Sequence, residues 1–120
     1  MAEKNFLHKQ VIVNQSMTGV GVITSQITSI RGFDNVFYDI QFTGTPTGTF
    51  SVQVSSSYDP LTNPNAIFIP LVLSPVPVAS GSDGVIGIDI NQEGAQWIKL
   101  VYTNSGGTGN LNAYVSAKAI

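Results

Sequence analysis

Apolar and polar residues alternate in strand-length runs along most of the chain. Phe50, Val52 and Val54 are interleaved with Ser51, Gln53 and Ser55. Ile86, Ile88 and Ile90 are interleaved with Gly87, Asp89 and Asn91, and Leu111, Ala113 and Val115 with Asn112, Tyr114 and Ser116. A period of two places one set on a buried face and the other in water. Val52, Ile88 and Leu100 sit in the middle of such apolar sets and are core candidates. No window sustains the period of an amphipathic helix.

This patterning predicts strands over residues 11–14, 19–24, 26–30, 36–42, 49–56, 66–73, 84–91, 96–103 and 110–117. Between them, residues 33–35, 44–48, 58–65, 80–84 and 104–109 carry the Gly, Pro, Asn and Asp of turns. Short strands at regular spacing predict an all-β fold, a single antiparallel β-sandwich of about eight or nine strands with jelly-roll or Greek-key-like connections. The stretch Ser74-Pro75-Val76-Pro77-Val78 is apolar and extended, and its prolines cannot donate to a ladder. It is either a sheet edge left open for a partner or a crossover. Gly106-Gly107-Thr108-Gly109 leads into a strand, not a helix, and so reads as a hairpin loop and not a phosphate cradle.

Residues 1–10, MAEKNFLHKQ, break the pattern. They hold two of the five basic residues and the only histidine, and they precede the first alternating segment. They read as an N-terminal arm, at most a short helix, ahead of a sandwich domain spanning residues 11–120. Phe6 and Leu7 are candidate apolar anchors on a partner, or a cover for one end of the sandwich. Lys4, His8 and Lys9 would then meet acidic groups on that partner.

Composition narrows the choice of function. The 120 residues suit one domain, large enough to bury a core without disulfide or metal support. Charged residues make up 10%, where about a quarter is usual, so hydroxyls and amides must cover the surface. Such a surface is easily buried in an assembly. The basic residues Lys4, Lys9, Arg31, Lys99 and Lys118 are scattered, which argues against nucleic acid. The absence of cysteine removes disulfides, thiolate metal sites and a cysteine nucleophile. The first residues lack the apolar core of a secretory signal, and no stretch approaches the roughly 18 apolar residues of a membrane span.

Candidate chemistry is sparse. Asp39 and Asp89 lie on the polar faces of their strands, and no spacing pairs them as a glycosidase requires. The other acidic residues beyond the arm are Asp34, Asp59, Asp83 and Glu93. Residues 80–84 offer one carboxylate, Asp83, and read as a tight turn in preference to a calcium loop. His8 precedes the first predicted strand, a poor place for a triad base. No cofactor and no metal are expected. Trp97 and Tyr58, with Tyr102 and Tyr114, form either a carbohydrate-stacking platform or aromatics covered by a loop or a subunit contact. Trp97 faces away from Ile98, Leu100 and Tyr102, and Val101 shares its face.

Three stretches resemble a known group. They are Gly48-Thr49-Phe50-Ser51-Val52-Gln53-Val54-Ser55, then Asp89-Ile90-Asn91-Gln92 with Ala95-Gln96-Trp97-Ile98-Lys99-Leu100-Val101-Tyr102-Thr103, then Ser105-Gly106-Gly107-Thr108-Gly109 with residues 111–118. Together they are similar to small β-sandwich proteins encoded in structural modules of bacteriophages, over Asp34 to Lys118. The resemblance implies a non-enzymatic virion component: a capsid accessory, decoration or vertex protein, or a tail-associated one. It implies a chain made in the host cytoplasm, packed against other virion proteins and itself a homo-oligomer or part of a symmetric assembly. Its shared residues are fold-determining and carry no active site. The alternative function is a host-surface carbohydrate-binding module of a phage tail or fibre, with Tyr58 and Trp97 as glycan contacts.

Overall fold

A computed structural model describes residues 6–19, 21–91 and 95–119. Residues 1–5, with Lys4, and Glu93 lie outside the described residues. The strands in chain order are β1 (Phe6–Ser16), β2 (Val22–Thr24), β3 (Thr28–Ser29), β4 (Asn35–Gly44), β5 (Thr47–Ser55), β6 (Ile69–Pro70), β7 (Val78–Ser80), β8 (Gly84–Asn91), β9 (Trp97–Gly106) and β10 (Gly109–Lys118). There is no helix among the described residues. One sheet runs β1-β10-β4-β8. In the other, β9 pairs with β5 on one side and with β2 and β3 on the other, while β6 and β7 both pair with the far side of β5. Every pairing is antiparallel, and the two sheets form a β-sandwich.

The alternating sets face each other across the sandwich. Val52 and Leu100 are fully buried, as are Leu111, Ala113 and Val115, and Ile88 is nearly so. Phe42 of the first sheet meets Phe50 of the second at 6.0 Å between ring centroids, and Phe50 meets Tyr102 at 4.8 Å. The Tyr102 hydroxyl donates to Asn104 Oδ1 at 3.1 Å. The Tyr38 hydroxyl is buried without a partner, and burial pushes its pKa far above the ordinary phenol value.

Three expectations are corrected. Residues 6–10, read as an arm, are the first half of β1, with Phe6 opposite Lys118 and Leu7 opposite Ala117. Phe6 and His8 are exposed and only Leu7 packs against the core, so an edge strand with one inward apolar residue leaves no alternation to read. The sandwich therefore includes residues 6–10.

Second, the predicted strands over residues 19–24, 26–30 and 66–73 shrink to short pieces, and β7 falls outside the predicted strands, at the end of the extended stretch 74–78. Prolines 70, 75 and 77 interrupt the ladder on β5, which continues through Leu71 N–H to Val52 O at 2.8 Å and Phe50 N–H to Pro77 O at 2.9 Å. Between β2 and β3, the buried Ser25 hydroxyl accepts from Leu100 N–H at 2.8 Å, standing in for a backbone carbonyl.

Third, residues 106–109 are not a hairpin loop: β9 and β10 belong to different sheets. The β4–β5 and β7–β8 links also change sheets, and the three crossovers lie side by side. Thr45 N–H donates to Thr108 O at 2.7 Å, Gly81 N–H to Pro46 O at 2.7 Å, and Gly44 N–H to Asp83 Oδ1 at 2.6 Å. Gly107 has φ +80°, and a Cβ there would run into the Thr45 carbonyl. The packing of two crossovers thus requires glycine. Asp83, expected in a tight turn, ties two of these crossovers together.

Candidate interaction surface

The outer faces and edges of the sandwich carry its exposed side chains. The outer face of the first sheet is rich in amides and carries Phe6 and His8. The Phe6 side chain is 68% exposed, beside a shallow recess that Phe37, Asp89 and Lys118 also line. His8 Nδ1 lies 2.9 Å from Ser116 Oγ, and its ring stacks parallel to Tyr114 at 6.1 Å. Leu7 points the other way and is half-buried against the core. The structure therefore separates Leu7 from the surface pair Phe6 and His8. Asp39 and Asp89 lie on adjacent strands, Asp39 opposite Gly87 and Asp89 opposite Phe37. No group of three or more metal-ligating side chains occurs among the described residues.

On the outer face of the second sheet, Tyr58 and Trp97 do come together. Their ring centroids are 5.0 Å apart and the rings meet edge to face. Phe68 joins them at 5.5 Å from Tyr58, and Lys99 Nζ sits 4.3 Å from the Phe68 centroid. Trp97 lies opposite Ser55 in the β5–β9 ladder. The Ser55 hydroxyl accepts from the N–H groups of Ser57 and Tyr58 at 3.2 and 3.1 Å, which turns the chain so that Tyr58 reaches Trp97. Nothing in sequence spacing announces this step, since it depends on one buried serine at a strand end. All three rings are half-buried and lean on one another, so much of each ring face is already used.

The loop carrying Tyr58 is held by Asp59. Its Oδ1 accepts from Leu61 N–H at 2.8 Å and from Thr62 N–H at 3.0 Å. The Thr62 and then the Leu61 amide bonds favour the carboxylate and hold Asp59 below the usual carboxylate range. A folded-state pKa below the unfolded one gives stability that is present above the ordinary value and lost as pH falls through the lowered one. Trp97 is the only tryptophan and touches Tyr58, so it reports on the loop. Its fluorescence should stay constant from neutral pH to about pH 4 and change only below that. Asp59→Asn, which keeps an acceptor but does not titrate, should abolish this change. A Trp97 transition centred near pH 6, or one unaltered by Asp59→Asn, would contradict the assignment.

Several exposed apolar side chains lie along the β6–β7 edge. Ile67 is 85% exposed and Val72 96%, and Ile69, Val76 and Val78 are each at least half exposed. Leu71 and Leu73 pack inward against the core. Residues 60–82 carry no charged side chain at all. Of the two readings of residues 74–78, the structure places them at a sheet edge between β6 and β7; the change of sheet comes later, after β7. The uncharged run was visible in the sequence, but its exposure was not, because an apolar run of that length also describes a buried strand.

No protein-family model matches the chain, and no curated protein matches it significantly in sequence. Solved structures match it in fold. The SPBc2 prophage-derived protein YomS aligns with a TM-score of 0.56 at 8% identity, over 99% of this chain and 97% of that one. A chain in the structure of infectious bursal disease virus Gx strain aligns with a TM-score of 0.55 at 8% identity, over 97% of this chain and 32% of that chain. Dimeric latent PorU from Porphyromonas gingivalis aligns with a TM-score of 0.53 at 11% identity, over 99% of this chain and 13% of that chain. The chain thus spans about a third or less of the viral and PorU chains. At these identities the likeness is one of fold, and the chain shares that fold with a prophage-derived protein along nearly the whole length of both.

Proposed function

We propose that this chain is a non-enzymatic structural subunit of a bacteriophage particle, a capsid accessory, decoration or vertex protein that docks on other virion chains. The observation that carries this reading is the match in fold to a prophage-derived protein over 99% of this chain and 97% of that one. Strand order supports it. Counting β2 with β3 and β6 with β7 as interrupted strands leaves eight, in two four-stranded sheets. Their order is that of a jelly roll, two Greek keys wound together, an architecture used by viral capsid and lectin domains. The weakly charged, amide-covered surface suits burial between subunits.

Particles made by the genome that encodes this chain, purified through successive density gradients, should contain it at a fixed ratio to the major capsid or tail protein by quantitative mass spectrometry. A chain found only in the soluble fraction of the lysate would overturn the proposal. The second reading, a carbohydrate-binding module, is favoured by the meeting of Tyr58 and Trp97 on an outer face. Saturable binding on a glycan array, lost in Trp97→Ala with the fold intact, would establish it.

A further inference from the structure

We propose that the recess on the outer face of the first sheet is a binding site for a neutral sugar. The site goes beyond both readings above: it lies on the opposite sheet from Tyr58 and Trp97 and needs no partner chain in a particle. The recess has a volume of about 370 Å³, within the range of small-ligand sites. Two successive outward-facing rows of the ladder build it. Phe6, Lys118, Asn35 and Asn91 are register partners across β1, β10, β4 and β8, and Ser116, Phe37 and Asp89 belong to the next row. Val36 and Ala117 also line it although their side chains are buried on the core side, so the sheet itself is the floor.

Phe37 is the fixed part of the site. Its ring reaches over Gly87 so closely that a Cβ there would lie 2.6 Å from the tip of the ring. A glycine inside a strand weakens it and marks a close approach, and here the approaching group is this ring. Seated in that way, Phe37 is still 40% exposed and offers an apolar surface already in position.

The polar groups set the class of ligand. Asp89 and Lys118 bring one charge of each sign, so the recess has no net charge with which to select an ion. The Asp89 carboxylate only accepts hydrogen bonds, while the amides of Asn35 and Asn91 both donate and accept. The Asn35 side-chain oxygen is closed to water and has no hydrogen-bond partner in the chain, a costly state for an acceptor. Asn35 as a whole is only half-buried and the last torsion of an asparagine is soft, so the amide can turn to meet a donor in the recess. The occupant must then carry several hydroxyl donors, an apolar face for Phe37 and no net charge. A pyranose has this form, with C–H groups on its ring face and hydroxyls around its rim. A hydrophobe would strip water from Asp89 and Asn91 and replace none of their hydrogen bonds, and an anion would face the Asp89 carboxylate.

The test is an NMR titration of the full, isotope-labelled chain with glucose, galactose, mannose, N-acetylglucosamine and their disaccharides. Each is taken to ~20 mM, because a ligand of about a dozen heavy atoms in an open recess binds in the millimolar range. At least one should bind saturably, shift the amide signals of residues 35–37, 89–91 and 116–118, and leave those of Tyr58 and Trp97 in place. The affinity should be unchanged in ~1 M salt, since the ligand carries no charge to screen. Asp89→Ala alters an exposed side chain, so it should keep the wild-type melting temperature and weaken binding at least ~10-fold. Gly87→Ala removes no polar group but pushes the Phe37 ring from its seat, and should weaken binding several-fold. No saturable shift with any of these sugars would overturn the proposal. So would binding that moves the Trp97 signal and is lost in Trp97→Ala, which would place the sugar on the second sheet. A stronger response to glucuronate than to glucose would overturn the neutral class. If no sugar binds but Phe37→Ala is lost from purified particles, the recess holds a virion chain; the sugar site is then wrong and the virion role stands. If sugar binds as described but purified particles lack the chain, the site stands and the virion role falls.

Discussion

A chain that begins at Val11 should lose ~3–5 kcal/mol of stability, from a handful of ladder hydrogen bonds at ~0.5–1.5 kcal/mol each and the partial burial of Leu7. β1 pairs with β10 from Phe6 opposite Lys118 to Ser16 opposite Asn110, and this truncation removes the pairs that Phe6 to Gln10 make. The residues of β10 from Tyr114 to Lys118 would then lie on a new open edge. Among them Val115 and Ala117 belong to the core and would lose cover from Leu7. Such an edge also invites pairing with other chains, so the truncated protein should aggregate where the full chain does not. Urea unfolding with light scattering checks both effects. An unchanged midpoint would restore the reading of these residues as a detachable arm. Because truncation damages the fold, the docking role of this end is better probed by Phe6→Ala. That side chain is exposed, and its loss should change stability by no more than about 0.5 kcal/mol.

The difference between arm and edge strand shows where sequence patterning stops. In β5, β9 and β10 the inward apolar sets are complete, because each strand lies between two others and must bury every second residue. β1 lies at an edge over the rim of the core, where Leu7 alone fills the inward position between Phe6 and Lys9. The glycine-rich residues 106–109 met the same limit in another form. A positive φ at Gly107 signals a reversal, but whether the next strand returns beside β9 or crosses to the other sheet is decided by long-range partners: β5 and β2 occupy both sides of β9. The candidate surfaces divide in the same way. Tyr58 and Trp97 were visible as aromatics on polar stretches, yet their contact depends on Ser55, and the inclusion of Phe68 and Lys99 depends on how residues 56–68 fold back over the sheet.

Phe50→Ala should be among the most damaging single changes in the body, at ~3–5 kcal/mol, the usual cost of truncating a buried phenylalanine. Phe50 is fully buried, and its ring lies between Phe42 of one sheet and Tyr102 of its own. Removing it deletes two aromatic contacts and opens a cavity between the sheets. The neighbours are poorly placed to close it. Tyr102 is held at its far end by Asn104 and lies so close over Gly48 that a Cβ there would sit 2.6 Å from its hydroxyl oxygen. Phe42 is anchored likewise over Gly84, where a Cβ would sit 2.8 Å from its ring. With both rings pinned at their outer ends, the cavity keeps most of its volume, and the cost falls toward the upper part of the range. Ile69→Ala removes an aliphatic side chain from the exposed β6–β7 edge and should change monomer stability by no more than about 0.5 kcal/mol. Measured together in urea, the two variants separate core from surface on this face of β5. A Phe50→Ala cost below ~1 kcal/mol would mean that the sheets can close over the gap, and that the three rings do not hold the sandwich at its present spacing.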